Sequence, residues 1–260
     1  LYNLYFGKER AGMFTRLATS LVLNYLRKWD VASCNRVNKF VAISRYIAER
    51  IEKNYSRDSD LIYPPVDCSY FKPGFANDGF YLMVSPLAPN KRVDIAVEAF
   101  NSIDLPLIVI GSGQEEKKLE KMAGKNIKLM GWQSDEIVRE HYVNCKALIF
   151  PGVEDFGIVP LEAQACGKPV IAFGEGGALE TIVPLDKNIG NSNATGLFFY
   201  EQTAESLANA VARFEDVQGQ FNCQAIRGNA ELFDRAIFKD RIKEYIDKKY
   251  KEFRRDLQDK

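Results

Sequence analysis

No excess of positive charge runs through this chain. Lys plus Arg number 35 and Asp plus Glu number 35, a formal net charge of +0, so composition offers nothing to a nucleic-acid partner. Cysteine is sparse and unpatterned: Cys34, Cys68, Cys145, Cys166 and Cys223 are scattered, odd in number and never spaced as Cys-x-x-Cys. That spacing argues against a disulfide framework or a zinc site and favours reduced thiols in a cytosolic setting. Cys145 and Cys166 flank apolar runs and read as core residues. Long apolar runs are missing too. Leu17 to Leu26, flanked by Arg16, Arg27 and Lys28, is too short to span a bilayer and fits an amphipathic helix packed on protein. Finally, Gly111-Ser112-Gly113 follows an apolar run, but the third glycine of a dinucleotide fingerprint is absent, which disfavours a nicotinamide-dependent oxidoreductase.

What is present is a regular alternation. After Pro64-Pro65, strands are predicted at Tyr81 to Val84, Leu107 to Ile110, Ile127 to Met130, Ala147 to Phe150, Val170 to Phe173 and Leu197 to Tyr200. Helical runs fill the gaps at Val93 to Phe100, Glu115 to Met122, Asp135 to Asn144, Leu161 to Cys166 and Ala178 to Val183. This order predicts an α/β fold with a parallel sheet wrapped on both faces. Before Pro64, Thr15 to Asp30 reads as a helix, Lys39 to Ile43 as a strand and Arg45 to Asn54 as a second helix. From Ala204 onward the chain is nearly all helical, ending in a charged stretch, Lys248 to Lys260.

The most informative stretch is Glu154-Asp155-Phe156-Gly157-Ile158-Val159-Pro160-Leu161-Glu162. It follows a buried-strand pattern and enters a helix, with Pro160 suited to the first turn. Glu154 therefore falls on a loop beyond the carboxyl end of a strand, where open α/β sheets bind ligands. Glu162 is expected in or near the first helical turn. A carboxylate there can accept hydrogen bonds from hydroxyls, and the free N–H groups of a helix start can hold an anion. The plainer alternative is an acid pair stabilising a helix dipole.

The spaced glutamates in this wording resemble the donor-sugar motif of retaining glycosyltransferases of family 4, which have the GT-B fold. The resemblance extends from about Trp29 to Ile246 and is strongest to the mannosyltransferase-like branch. It implies a Rossmann-like, doubly wound parallel-sheet donor domain at 64–240, preceded at 1–63 by the remnant of an N-terminally truncated acceptor domain and followed at 241–260 by a helical tail. By match to the motif, Glu154 would hold the transferred sugar's hydroxyls and Glu162 the ribose hydroxyls, with Phe156 and Gly157 in the same donor-binding loop. Lys91, in Ser85-Pro86-Leu87-Ala88-Pro89-Asn90-Lys91-Arg92, matches the family lysine on the pyrophosphate. Pro86 stands where many members carry arginine, and Arg92 is a candidate for the missing cation. Gly176 and Gly177 resemble a glycine pair that approaches phosphate, with Leu179 replacing the family's proline, and Glu180 is expected to cap or pack the helix start. Gly111 and Gly113 would lie near the nucleoside, and Trp132 either beside the base or as an aromatic anchor. His141, on a predicted helix, does not match the family's histidine near the reacting sugar.

The resemblance implies transfer of a hexose, mannose by branch, from a nucleotide-diphosphate sugar such as GDP-mannose to a glycan or lipid-linked acceptor. No cofactor or divalent metal is expected. A cytoplasmic location is expected, with peripheral membrane association left open. The competing reading is a fragment that holds a nucleotide sugar but cannot transfer it without the acceptor domain.

Overall fold

The computed structural model describes residues 13–74, 77–185 and 193–258. The amino-terminal twelve residues of the 1–63 unit and the end of the charged stretch lie outside them. Helix α1 (Met13–Cys34) leads to a small β-α-β unit: β1 (Phe40–Ala42), α2 (Arg45–Tyr55) and β2 (Ser59–Leu61). Strands β1 and β2 pair in parallel. Ser44 starts α2 by accepting a hydrogen bond from Ile47 N–H at 3.0 Å, the usual work of a helix-capping serine.

The larger unit holds six strands: β3 (Tyr81–Val84), β4 (Leu107–Ile110), β5 (Ile127–Leu129), β6 (Leu148–Phe150), β7 (Val170–Phe173) and β8 (Gly196–Phe199). Between them run α3 (Val93–Ile103), α4 (Glu116–Met122), α5 (Asp135–Asn144), α6 (Ile158–Ala165) and the single turn α7 (Ala178–Thr181). The strand order is β5-β4-β3-β6-β7-β8 and every pairing is parallel. This is the doubly wound order, in which the direction of winding reverses between β3 and β6.

Successive side chains of a strand point to opposite faces, and here both faces are covered. Tyr81, Met83, Ile149, Ile171, Leu197 and Phe199 pack with α3 and with α8 (Ala204–Val217) on one side. Leu82, Leu148, Val170, Ala172 and Phe198 pack on the other with Tyr142 of α5 and Ala163 of α6. That arrangement explains why the strands read as unbroken apolar runs. The thiols of Cys145 and Cys166 lie in the second layer, and burial pushes each up to about 12. All five cysteines are free.

Two boundaries differ from the sequence expectation. Helix α6 begins at Ile158, so Pro160 is its third residue and Glu162 lies in its second turn. A proline is tolerated anywhere its missing N–H has no helical partner, so it marks a first turn without marking its first residue. The division expected at 240/241 falls inside α10 (Arg235–Gln258), which runs unbroken after α9 (Cys223–Glu231). Helical structure breaks instead at Asp234, which bridges to Val66: Val66 N–H donates to Phe233 C=O and Arg235 N–H to Val66 C=O. Helix α10 then crosses to the small unit, where Tyr245 donates to Asp60 of β2 at 3.0 Å.

Candidate active site

The loops that follow β3, β4, β5, β6 and β7 all emerge at the carboxyl edge of the sheet, and two adjoining cavities open there. The first, about 350 Å³, lies over β3, β4 and β5 and is lined by Ser85, Pro86, Gly111, Trp132, Asp135 and Glu162. The second, about 310 Å³, lies over β3 and β6 and is lined by Ile43, Lys91, Glu154, Asp155 and Gly157. Val84, Ser85, Pro86 and Val159 line both, forming the ridge between them. A larger groove of about 990 Å³ runs along α10 and is lined by that helix alone; it brings no other element's groups to one point.

Lys91 and Glu154 reach each other across the second cavity as an ion pair, each side chain 23 % exposed. Lys91 closes a 3-10 turn at Pro89–Lys91 before α3, and Glu154 lies on the loop after β6. Sixty-three residues of chain separate them, yet the reversal of winding puts their loops side by side. Lys91 is the only cation lining this cavity among the described residues.

Glu162 projects from α6 into the first cavity. Burial raises its carboxyl above the usual 4.5, partly offset by the hydroxyl of Tyr142, which donates to Oε2 at 2.9 Å. The first turn of α6 carries no acid, so the dipole-stabilising alternative for the two glutamates does not describe them. Trp132, 76 % exposed, stands at the rim of the same cavity. It is not an anchor in the core.

Six expected site residues behave differently. Arg92 lines neither cavity: its guanidinium is held by Asp94 at 3.2 Å and Gln202 at 2.8 Å, and Gln202 donates onward to Pro151 C=O. It braces the loop leading to Glu154 and supplies no second cation there. Phe156 lines the second cavity but is 3 % exposed, its ring stacked on Tyr63 and tilted against Phe233. Gly176 and Gly177 serve a close approach, but to protein. The Gly177 N–H donates to Glu154 C=O at 2.8 Å, and is thereby unavailable to a phosphate. A Cβ on Gly176 would lie 2.6 Å from that carbonyl oxygen, and one on Gly177 would collide with the Phe156 backbone. Gly111 and Gly113 fit the same way against Ser85 and Leu87, although Gly111 also lines the first cavity. Gly157 adopts φ +93° as the residue immediately before α6, a conformation that favours glycine.

Other partners of the site were not legible. Glu180 caps α2 of the small unit, not its own turn. Its carboxylate accepts Arg45 N–H at 2.9 Å, Tyr46 N–H at 3.2 Å and the Tyr63 hydroxyl at 2.9 Å. Asp155 pairs with Arg50 of the same helix at 2.8 Å. His141 packs its ring on Phe80, outside both cavities. Among the described residues no cluster of three or more His, Cys, Asp or Glu side chains could hold a metal ion. The one Asp-x-Asp spacing, Asp58-Ser59-Asp60, leads into and lies within β2, where Asp60 is engaged by Tyr245 and Lys249. Among the described residues no helix is long and apolar enough to cross a membrane.

A doubly wound α/β domain with convergent acids and a cation at its switch point is a nucleotide-site architecture. Comparison with known proteins makes this specific. Residues 70–231 match the model of the family described as glycosyl transferases group 1, and the chain belongs to that family. It is 34% identical over 154 residues to an uncharacterised glycosyltransferase of Methanocaldococcus jannaschii, covering 56% of this chain and 43% of that one. It is 31% identical over 212 residues to the GDP-mannose-dependent monoacylated alpha-(1-6)-phosphatidylinositol monomannoside mannosyltransferase of Corynebacterium glutamicum, covering 69% and 53%. The chain thus spans about half the length of the curated relatives it matches. Among solved structures it resembles Anabaena HepE in complex with UDP and glucose, with TM-score 0.72 at 20% identity over 85% of this chain and 66% of that one. The sucrose-phosphate synthase of Thermosynechococcus elongatus gives TM-score 0.74 at 20% identity, covering 86% and 61%. The fold is α/β of the GT-B type.

Proposed function

We propose that this chain carries the donor site of a retaining, family 4-like glycosyltransferase that moves a hexose from a nucleotide-diphosphate sugar to a glycan or lipid-linked acceptor. The observation that carries the reading is the pair of adjoining cavities at the switch point. One offers an exposed indole and a carboxylate, the chemistry of a base and a ribose. Its neighbour offers a single cation and a carboxylate, the chemistry of a diphosphate and a sugar. In this reading Trp132 stacks on the base, Glu162 accepts the ribose hydroxyls, Lys91 faces the diphosphate and Glu154 orients the sugar.

The reaction breaks the bond between the anomeric carbon and the diphosphate oxygen and forms one to an acceptor oxygen on the same face. The departing diphosphate gains charge as the bond breaks, and a cation already aimed at it lowers the barrier. That same diphosphate oxygen takes the acceptor's proton, so no separate base is required. GDP-mannose is the favoured donor, because the Corynebacterium relative is named as GDP-mannose-dependent. A unit that binds the donor but does not transfer by itself is the second reading.

Calorimetric titration with GDP, UDP, ADP and their sugar conjugates tests the reading. Binding of one base class, weakened by Glu162→Ala and by Lys91→Ala, supports it. Binding that neither substitution changes removes both residues from the donor site.

A further inference from the structure

Tyr142 belongs to no motif and touches no cavity, yet its hydroxyl is joined to the acid that the first cavity depends on. The residue lies in the last turns of α5, is fully buried, and sets its ring edge-on to Phe71 at 5.8 Å. A phenol in such a place must find a partner for its O–H or bear the cost of an unmet donor. Its partner is Glu162 Oε2, 2.9 Å away. Burial holds the Tyr142 phenol well above its usual range, so the hydroxyl stays a donor. Glu162 makes no other side-chain hydrogen bond among the described residues, and its side chain lines the cavity.

We propose that Tyr142 is a positioning residue for nucleotide recognition: by fixing one oxygen of Glu162 it presents the other to the vicinal hydroxyls of a ribose. A free glutamate side chain would sample several rotamers, and a two-hydroxyl ligand would have to order it on binding. Tied at Oε2, the carboxylate is ordered in advance. The inference rests on the reading of Glu162 as the ribose acid. It adds a role that changes selectivity between ribose and deoxyribose, not merely affinity.

The test compares GDP, UDP and ADP with their 2′-deoxy and 3′-deoxy forms by calorimetric titration. The variants are wild type, Tyr142→Phe, Glu162→Ala and the double variant, with thermal unfolding confirming that each is folded. Tyr142→Phe keeps the ring and its packing and deletes one hydroxyl. Wild type is expected to favour the ribonucleotide by about tenfold, a typical value for a hydrogen bond to a charged acceptor. Tyr142→Phe should lower that preference several-fold while leaving deoxynucleotide affinity nearly unchanged, and should have no further effect on the ratio once Glu162 is alanine. If wild type discriminates and Tyr142→Phe discriminates equally well, the positioning role is overturned and the reading of Glu162 stands. If Tyr142→Phe weakens ribo and deoxy forms alike, the hydroxyl is only structural and the proposal falls. If wild type binds nucleotides without discriminating, the ribose reading of Glu162 fails and takes the proposal with it.

Discussion

The Glu180 carboxylate accepts the backbone N–H of Arg45 at 2.9 Å, across 135 residues of chain. With Tyr46 N–H and the Tyr63 hydroxyl on the same carboxylate, it closes the amino end of α2 from outside the small unit. Orphan N–H groups of a helix start, and the partial positive charge there, favour such an acid. Glu180→Ala should therefore lower unfolding stability by about 1–3 kcal/mol, a helix cap plus a tyrosine hydrogen bond. Amide hydrogen exchange at Arg45 and Tyr46 should rise more than at residues of β6 or β7. Protection that stays unchanged at those two amides would show that the cap does not hold α2.

Lys91 and Glu154 neutralise one another in the free protein, although the proposed roles assign them to different parts of the donor. A nucleoside diphosphate without its sugar must take Lys91 from Glu154. Removing the competitor should help it: Glu154→Gln is expected to bind the bare diphosphate roughly three- to tenfold more tightly. The nucleotide sugar should gain less, having lost its own contact with the carboxylate. Titration of both ligands on the same variant decides this; equal loss for both would mean that the pair does not compete with the diphosphate.

Because burial raises the Glu162 carboxyl above 4.5, its pH behaviour has a definite sign. Between the ordinary value and the raised one, the folded chain binds more protons at this site than the unfolded chain does. Its contribution to stability is thus greatest below that window and declines as pH rises through it. Nucleotide affinity should run the other way, since protonation removes an acceptor. Relative to Glu162→Gln, the wild-type advantage in binding should shrink as pH falls from about 7 into the window. An advantage that is constant with pH would exclude titration of Glu162. Asp135, in the same cavity, adds to the upward shift, and Asp135→Asn should move the change to lower pH.

Two aromatic residues of the site should separate cleanly in mutagenesis. Phe156 lies in a small core with Val66, Leu161 and Ala230, and Phe156→Ala should cost about 3–5 kcal/mol of stability by denaturant unfolding. Exposed Trp132 should cost less than about 0.5 kcal/mol when replaced by alanine, while nucleotide binding weakens by about 1–3 kcal/mol through lost stacking on the base. If Trp132→Ala binds nucleotide like wild type, the indole is not on the base.

Much of the architecture was open to reading because its signals are local. Val170 to Phe173, apolar throughout and bounded by Gly167-Lys168-Pro169 and Gly174, is a fully buried strand, and no distant residue is needed to see it. Glu154 was likewise placed by its position just beyond a strand, whereas Lys91 and Glu162 were singled out by the resemblance of their surroundings to a family motif. Partners that come from far along the chain were not readable. Arg92 looks like a free cation until Gln202 is beside it. Gly177 looks like a phosphate amide until Glu154 C=O takes its hydrogen. Tyr142 sits in an amphipathic helix like any core aromatic, and only the depth of α6 against α5 reveals its hydroxyl's partner. Strand β2 is short and partly polar, and its pairing with β1 had no pattern to announce it.

Val66 and Asp234 lie side by side where the polypeptide enters and leaves the six-stranded unit. A unit whose two ends meet can be cut out and spliced into another chain with little distortion of either, because the host needs to open a gap only as wide as two strands. By the same geometry the two ends of this unit could be joined by a short link and new ones opened elsewhere, outside the carboxyl-edge loops that carry Lys91 and Glu154. Excision there would leave the second cavity open where Ile43 and Pro64 line it, so the six-stranded unit would carry its loops with it but not the whole of that cavity.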